Sequence, residues 1–311
     1  METKKQKTAK TTAKATAKAN SSDVEKKAKK QKRLTPKQQL IKDFSSSMRA
    51  YEKSILSELL ENHNISTAQF KQIVINELKR SEKMQEAFLH NPSSLFASIL
   101  LCAELGLNPS NEVGEFYFIP FNKKIKPILG YKGVVNLLLR SGDISKLWCE
   151  IVYNDDEFEY ELGLEPRLRH IPSHNNSKQM KYVYAVAKLT NGESIFKVMS
   201  KSEILEIADM TDYRNELYFD LKKDPQGWMY KKTVLKQLSK LLPKDYYGKR
   251  GVSVDNKAES GAYLKLDDEN NIMVVEAKNK PIKRSKSVYS NLDAETIDVD
   301  AEILTLQKDE N

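Results

Sequence analysis

Two segments of this chain set cations beside apolar helical stripes, at spacings that could hold a polyanion: GYKGVVNLLLRSG at 130–142 and WMYKKTVLKQLSKLLP at 228–243. In the first, Gly130 and Gly133 flank Tyr131 and Lys132, and glycines there let the backbone approach another surface closely. A helix starting at Tyr131 offers free N–H groups to an anion, while Tyr131 could stack a base and Arg140 could contact phosphate. In the second, a helical wheel puts Trp228, Leu235, Leu238 and Leu242 on one face, with Lys232, Lys236 and Lys240 as a cationic stripe beside it. Lys231 falls in the middle of that apolar face, where a lysine is costly unless it is paired, faces a ligand or snorkels outward. A third group, Lys123, Lys124 and Lys126, mixes with Phe116, Tyr117, Phe118 and Phe121. That mixture fits single-strand binding and equally fits a half-buried hairpin. Each feature also has a plain structural reading: a solvated helix face for the lysines, core packing for Tyr131.

Covalent chemistry finds less support. Asp155, Asp156, Glu157 and Glu159 could be imagined as a metal cluster, but their local run reads better as a polar turn between strands. His170 and His174 lie four apart with Pro172 between them, so they cannot share a helical metal face. The only cysteines, Cys102 and Cys149, sit among apolar residues and read as small buried hydrophobes in a reducing compartment. The Gly-rich phosphate loop of nucleotide-binding enzymes is absent, as are catalytic-triad and kinase signatures. No catalytic residue and no metal site is expected.

The elements that must position these residues follow from hydrophobic period and punctuation. Thr35-Pro36 opens a helix reaching about Leu60, a second begins near Thr67, and a third follows Asn91-Pro92 and ends at Gly106. From 112 the period shortens: EFYFIPF and KKIKPIL form a hairpin, and a helix spans 131–140. Strands follow at KLWCEIVY, EFEYEL, KYVYAVAKL and IFKVM, the last two joined across Asn191-Gly192. Helices return at 201–209 and 225–242. The fold class is α+β: an antiparallel sheet and hairpins with an inserted helix, flanked by N-terminal and C-terminal helices, with disordered tails.

Charge divides the 311 residues unevenly, and the formal net charge is +8. Residues 1–33 hold twelve Lys/Arg against three acids and read as a disordered basic arm. Residues 34–250 form the expected core, with a helical part to 106 and an α+β part from 107; residues 251–311, with eight cations against thirteen acids, read as a flexible acidic tail. No window approaches a membrane span and the N-terminus lacks a secretory core, so the expected location is cytoplasmic.

The blocks LGLNP (105–109), GEFYFIPF (114–121), GYKGVVNLLLRSG (130–142), VYxDDxF (152–158), HIP (170–172), NG (191–192) and WMYKKTVLKQ (228–237), in this order, resemble the RecT family of phage and prophage recombinases. The resemblance covers residues 36–245 and leaves both tails outside. It implies ATP-independent annealing of complementary single strands in recombination and repair. It also implies rings or helical filaments on DNA, a partner 5′-to-3′ exonuclease and a role with the host single-stranded DNA-binding protein. No cofactor is implied, beyond a divalent cation modulating DNA binding. The matching motifs carry over Tyr131, Lys132, Arg140, Trp228, Lys231 and Lys232 as DNA-contacting positions, to which residue chemistry adds Lys123, Lys124, Lys126 and Lys236. ADMTDYRNELYF (208–219) departs from the family's Arg-Ser-containing segment, which leaves Arg214 without support as a contact. The three N-terminal helices are the expected subunit interface. Two other classes compete: a duplex-binding packaging or regulatory protein, and a Mg²⁺-dependent nuclease using the acids at 155–159.

Overall fold

Helix α1 (Pro36–Tyr51) begins where the sequence signals it, with the Thr35 hydroxyl and Gln38 side chain bonding each other's backbone N–H in a capping box. The computed structural model describes residues 34–174, 179–211 and 219–276, except for the side chain of Ser54. The basic arm at 1–33, Arg214 and the acidic segment beyond 276 therefore lie outside the described residues. α1 continues through one π-helical turn (Glu52–Leu56) into α2 (Ser57–Glu61), so a single rod buries Leu40, Phe44, Met48, Leu56 and Leu60. α3 (Thr67–Arg80) buries Phe70, Val74 and Leu78, one residue per turn of one face. α5 (Pro92–Glu104) is apolar on every side, and all residues from Ser94 to Ala103 are buried. It forms the centre of the main core, so of the three helices proposed for subunit contact only the first two have surface to offer.

The β1–β2 hairpin (Phe116–Phe121, Lys124–Leu129) turns at Asn122 and Lys123, which have φ of 47° and 60°. Positive φ at both central residues is the tight-hairpin geometry that matches strand twist. α6 (Tyr131–Leu139) follows at once, and its GYKG start has a definite cause. A Cβ on Gly130 would lie 2.0 Å from the Gly114 carbonyl oxygen, and one on Gly133 would lie 2.1 Å from that of Glu115. The close approach expected of these glycines is thus made to the chain's own backbone just before β1. Gly133→Ala is expected to cost about 1–3 kcal/mol, because the clash is with backbone that must shift. Denaturant unfolding would read this as a lower midpoint.

Strands β3 (Ile144–Tyr153), β6 (Met180–Leu189) and β7 (Ser194–Ser200) make an antiparallel sheet in the order β3-β6-β7. One face packs Val183, Ala185, Ala187 and Met199 into the main core. The other gathers Val152, Tyr184 and Val186 with Phe158 and Leu168 of the hairpin β4–β5 (Glu157–Glu161, Arg167–Ile171). Helices α7 (Lys201–Asp209) and α8 (Trp228–Ser239) pack on the core side.

Six elements differ from the sequence reading. α4 (Glu82–His90) was not expected; it is capped by Ser81 and held by Met84, Ala87 and Phe88, a stripe too short to announce itself. β5 was hidden in RLRHI, whose arginines face acids across the hairpin, Glu159 opposite Arg169 and Glu161 opposite Arg167. α8 starts at Trp228 rather than 225, after Gly227 in a left-handed conformation with φ of 60°. Most consequential, the chain beyond 250 is not all tail. α9 (Tyr246–Glu259) and the hairpin β8–β9 (Tyr263–Leu266, Ile272–Val275) bury Val252, Val254, Ala258, Ala262 and Leu264. The polar residues that disguised α9 include Asp255, whose charge is consumed inside the fold.

Candidate nucleic-acid interface

The start of α6 and the start of α8 meet. The rings of Tyr131 and Trp228 lie 5.2 Å apart at 46°, and Trp228 is 39% exposed, so the aromatic pair reaches solvent through Trp228. Lys231, one turn into α8, holds its ammonium 5.7 Å from the Trp228 ring and 3.3 Å from the Glu150 carboxylate of β3. Exposed Lys132 follows Tyr131 on a helix whose N-terminus has no side-chain cap, which leaves its first N–H groups available to an anion. An open groove of about 430 Å³ runs on along α6, lined by Tyr131, Lys132, Val135, Asn136, Leu139 and Arg140.

The remaining cations of the sequence reading are elsewhere. Lys232 and Lys236 do not form an outward stripe. Both are buried between α8 and α9, Lys232 at 3.1 Å from Asp255 and 3.0 Å from Glu259, Lys236 at 2.9 Å and 2.6 Å from the same two acids. The wheel placed them beside a single apolar face, but α8 is covered on two sides, by the sheet and by α9. Lys231, expected in the middle of the apolar face, instead lies at its margin with a 15% exposed side chain. Burial alone would lower the Lys232 ammonium, yet Asp255 and Glu259 raise it above the ordinary lysine value. Arg140 is exposed but occupied. Its guanidinium donates to the Leu105 and Gly106 carbonyls, both at 2.6 Å, and to Asn136, tying α6 to the end of α5. In the β1–β2 hairpin only Lys123 stands free at the tip. Lys124 lies 3.7 Å over the Tyr263 ring, and buried Lys126 lies 3.9 Å over the Phe121 ring while donating to the Ala258 carbonyl.

Sequence reasoning passed over Glu150 and Trp148. Trp148 is 38% exposed on the same face of edge strand β3 as Lys146 and Glu150. The alternation in KLWCEI carried that signal, because Leu147, Cys149 and Ile151 take the inward positions.

The groups weighed for covalent chemistry have structural tasks. The Cys149 thiol is pushed up to about 12 by burial, and burial lifts the Cys102 thiol well above its usual value, so neither is a thiolate at neutral pH. Among the described residues no group of three or more His, Cys, Asp or Glu could hold a metal ion. Asp156 accepts from the Tyr153 and Ser173 N–H groups, each at 2.8 Å, and lies 3.1 Å from His170, whose other nitrogen meets the Tyr184 hydroxyl at 3.2 Å. Burial works to raise this carboxyl, but the two N–H donors and His170 together hold it below the usual range. The arrangement fastens the β4–β5 hairpin to the sheet. Asp156→Ala is expected to remove about 1.5–3 kcal/mol of local stability, seen as faster amide exchange in that hairpin. Because the folded value is lowered, the contribution is present above the ordinary carboxylate range and is lost as pH falls through the folded value.

Comparison with known proteins agrees with the motif blocks. The model of the RecT family matches residues 68–261. Protein RecT of Escherichia coli (strain K12) is 34% identical over 172 residues, which are 53% of this chain. The aligned part spans 63% of that protein's length. Among the described residues no helix is long and apolar enough to cross a membrane.

Proposed function

Because this chain belongs to the RecT family, we propose that it binds single-stranded DNA and anneals complementary strands during recombination, without hydrolysing ATP. The observation that carries the reading is the joined start of α6 and α8, where the Tyr131–Trp228 pair lies beside the Lys231 ammonium and exposed Lys132 follows Tyr131 on α6. An exposed ring stacks any base, and flanking ammonium groups meet the phosphates on either side, so binding is sequence-tolerant. Annealing breaks no covalent bond. It needs strand repulsion neutralised and bases held open to test pairing, and base pairing then supplies the specificity.

The DNA-contacting set we propose is Tyr131, Lys132, Trp228 and Lys231, with Lys123 as an outlying phosphate contact. Lys126, Lys232 and Lys236 act inside the fold, Arg140 braces α6, and Lys124 packs on Tyr263. Copies of the chain assemble along DNA so that adjacent sites form one path, with α1 and α3 offering the surface. A 5′-to-3′ exonuclease supplies the single strand, the host single-stranded DNA-binding protein is displaced from it, and the setting is the bacterial cytoplasm.

The test is fluorescence-quenching annealing of two complementary oligonucleotides without nucleotide or metal. Wild type is expected to accelerate pairing, and Lys132→Ala/Lys231→Ala to reduce the rate at least about tenfold through loss of two phosphate contacts. No acceleration by folded wild type would move the reading to passive duplex binding, and Mg²⁺-dependent cleavage would move it to a nuclease.

A further inference from the structure

The hairpin β4–β5 is an amphipathic ribbon of which the chain covers only half. Near its base, Phe158 and Leu168 pack on Val152, Tyr184 and Val186 of the sheet. Tyr160, opposite Leu168, still reaches the Tyr182 ring at 6.1 Å but is 42% exposed. Past the strand ends Leu162 is 69% exposed and Leu164 is fully exposed. A leucine that keeps its whole surface in water touches no other element, so the tip does not fold back on its own molecule. Contiguous exposed apolar surface of this kind marks an interaction site.

Charge decides what the tip meets. The ribbon from Glu157 to Ile171 carries four glutamates against two arginines, a balance of −2 with His170 neutral. A negative tip repels nucleic-acid phosphates and also a second tip, so neither DNA nor a tip-to-tip pair matches it. The groove along α6 has the complementary character. Tyr131, Val135 and Leu139, four residues apart, make an apolar stripe in it, and Leu139 is 38% exposed. Lys132 and Arg140 stand beside that stripe, and among the described residues no acid lines the groove. The Arg140 guanidinium is held by two carbonyls and an amide, none of which neutralises its charge.

We propose that the β4–β5 tip of one copy of this chain docks in the α6 groove of the next. Leu162 and Leu164 cover Val135 and Leu139, and the acids of the ribbon face Arg140. The Tyr131–Lys132 end of the groove stays open to DNA, so each DNA site ends against a neighbour's hairpin. Tip and groove are different surfaces, so the contact is head-to-tail and repeats into a ring or a filament. This inference rests on the assembly part of the proposed function and adds a contact to those offered by α1 and α3.

Both native cysteines are buried, so an introduced one reports alone. Full-length Leu164→Cys and Leu139→Cys chains are prepared separately, then mixed under mild oxidation, with and without a single-stranded oligonucleotide. A disulfide joining the two variants is expected in the mixture, at least about tenfold above the linking of either variant alone. Leu162→Ser/Leu164→Ser removes only exposed side chains and should keep the wild-type circular dichroism. It should raise the protein concentration at which assemblies half form by at least about 100-fold, read by light scattering in the same two conditions. Equal linking in Leu164→Cys alone, no link in either condition, or assembly unchanged in the serine variant would each overturn the proposal. So would assembly retained with single-strand affinity lost, which would make the tip a wedge between bases. Pairing of complementary strands by wild type is read separately, so linking can fail while annealing stands, and annealing can fail while linking stands.

Discussion

Asp255→Ala is expected to destabilise the protein by about 3–5 kcal/mol, the cost of removing one partner from a buried charge group. Asp255 is 2% exposed and serves three donors: Lys232, Lys236 and the Leu129 N–H at 2.8 Å. Its loss leaves two buried ammonium groups sharing Glu259 and strands a backbone donor of β2. Asp255→Asn retains an acceptor for Leu129 and should fall between the two, while neutralising the whole group with apolar residues of similar volume should cost far less than the single change. The pH signs differ for the two partners. Burial would raise the Asp255 carboxyl, but Lys232, Lys236 and the Leu129 N–H hold it below its ordinary value. Its contribution is therefore present above the ordinary carboxylate range and lost as pH falls through the lowered value. The raised Lys232 ammonium contributes below the ordinary lysine range, and that contribution is lost as pH rises through the raised value. Urea unfolding of wild type and Asp255→Ala across pH 3–7 tests this: the difference between them should shrink at the acid end. A constant difference would mean that Asp255 acts by packing rather than by charge.

The same group explains what the sequence hid. A helical wheel assumes one wet side, and Lys232, Lys236 and Lys240 at four-residue spacing then look like a cationic stripe. The partners of Lys232 and Lys236 come from α9, 19 to 27 residues away, in a stretch whose polarity resembled a tail; Lys240 alone stays exposed, bonded to Gln237. No local pattern announces an ion pair between two helices. Arg140 is a similar case, since its binding partners are the Leu105 and Gly106 carbonyls, which any sequence contains. What was legible was local: the helix start at Thr35-Pro36, the hairpin turning around Asn122, the period of the strands, and the glycines at 130 and 133. The α+β class follows from those periods and matches the structure. The candidate site was half legible. Tyr131 and Trp228 each stood out by composition, but only packing of α6 against α8 shows that they share one surface.

That shared surface gives the second large expectation. Trp228→Ala should weaken single-stranded DNA binding about 5- to 150-fold, since stacking is worth about 1–3 kcal/mol per base. Stability should change little by comparison, because the ring is 39% exposed and the contact from Asp224 is to the Trp228 backbone N–H, which alanine retains. The companion change Lys231→Ala acts differently. It removes one cation from the strand, so the slope of log affinity against log salt should fall by about 0.7, with a weaker loss at high salt than at low. It also frees Glu150, whose carboxylate lies 3.3 Å from the ammonium, so Lys231→Ala/Glu150→Gln should recover part of the loss by removing an uncompensated negative charge. Fluorescence anisotropy with one labelled oligonucleotide at 50 and 200 mM salt separates the two effects. A Trp228→Ala chain that binds as wild type does would remove the aromatic pair from the interface, and with it the observation on which the annealing site rests. A loss in Trp228→Ala with an unchanged salt slope, beside a reduced slope in Lys231→Ala, would fix a base at the ring and a phosphate at the lysine, because only the second contact releases a counterion.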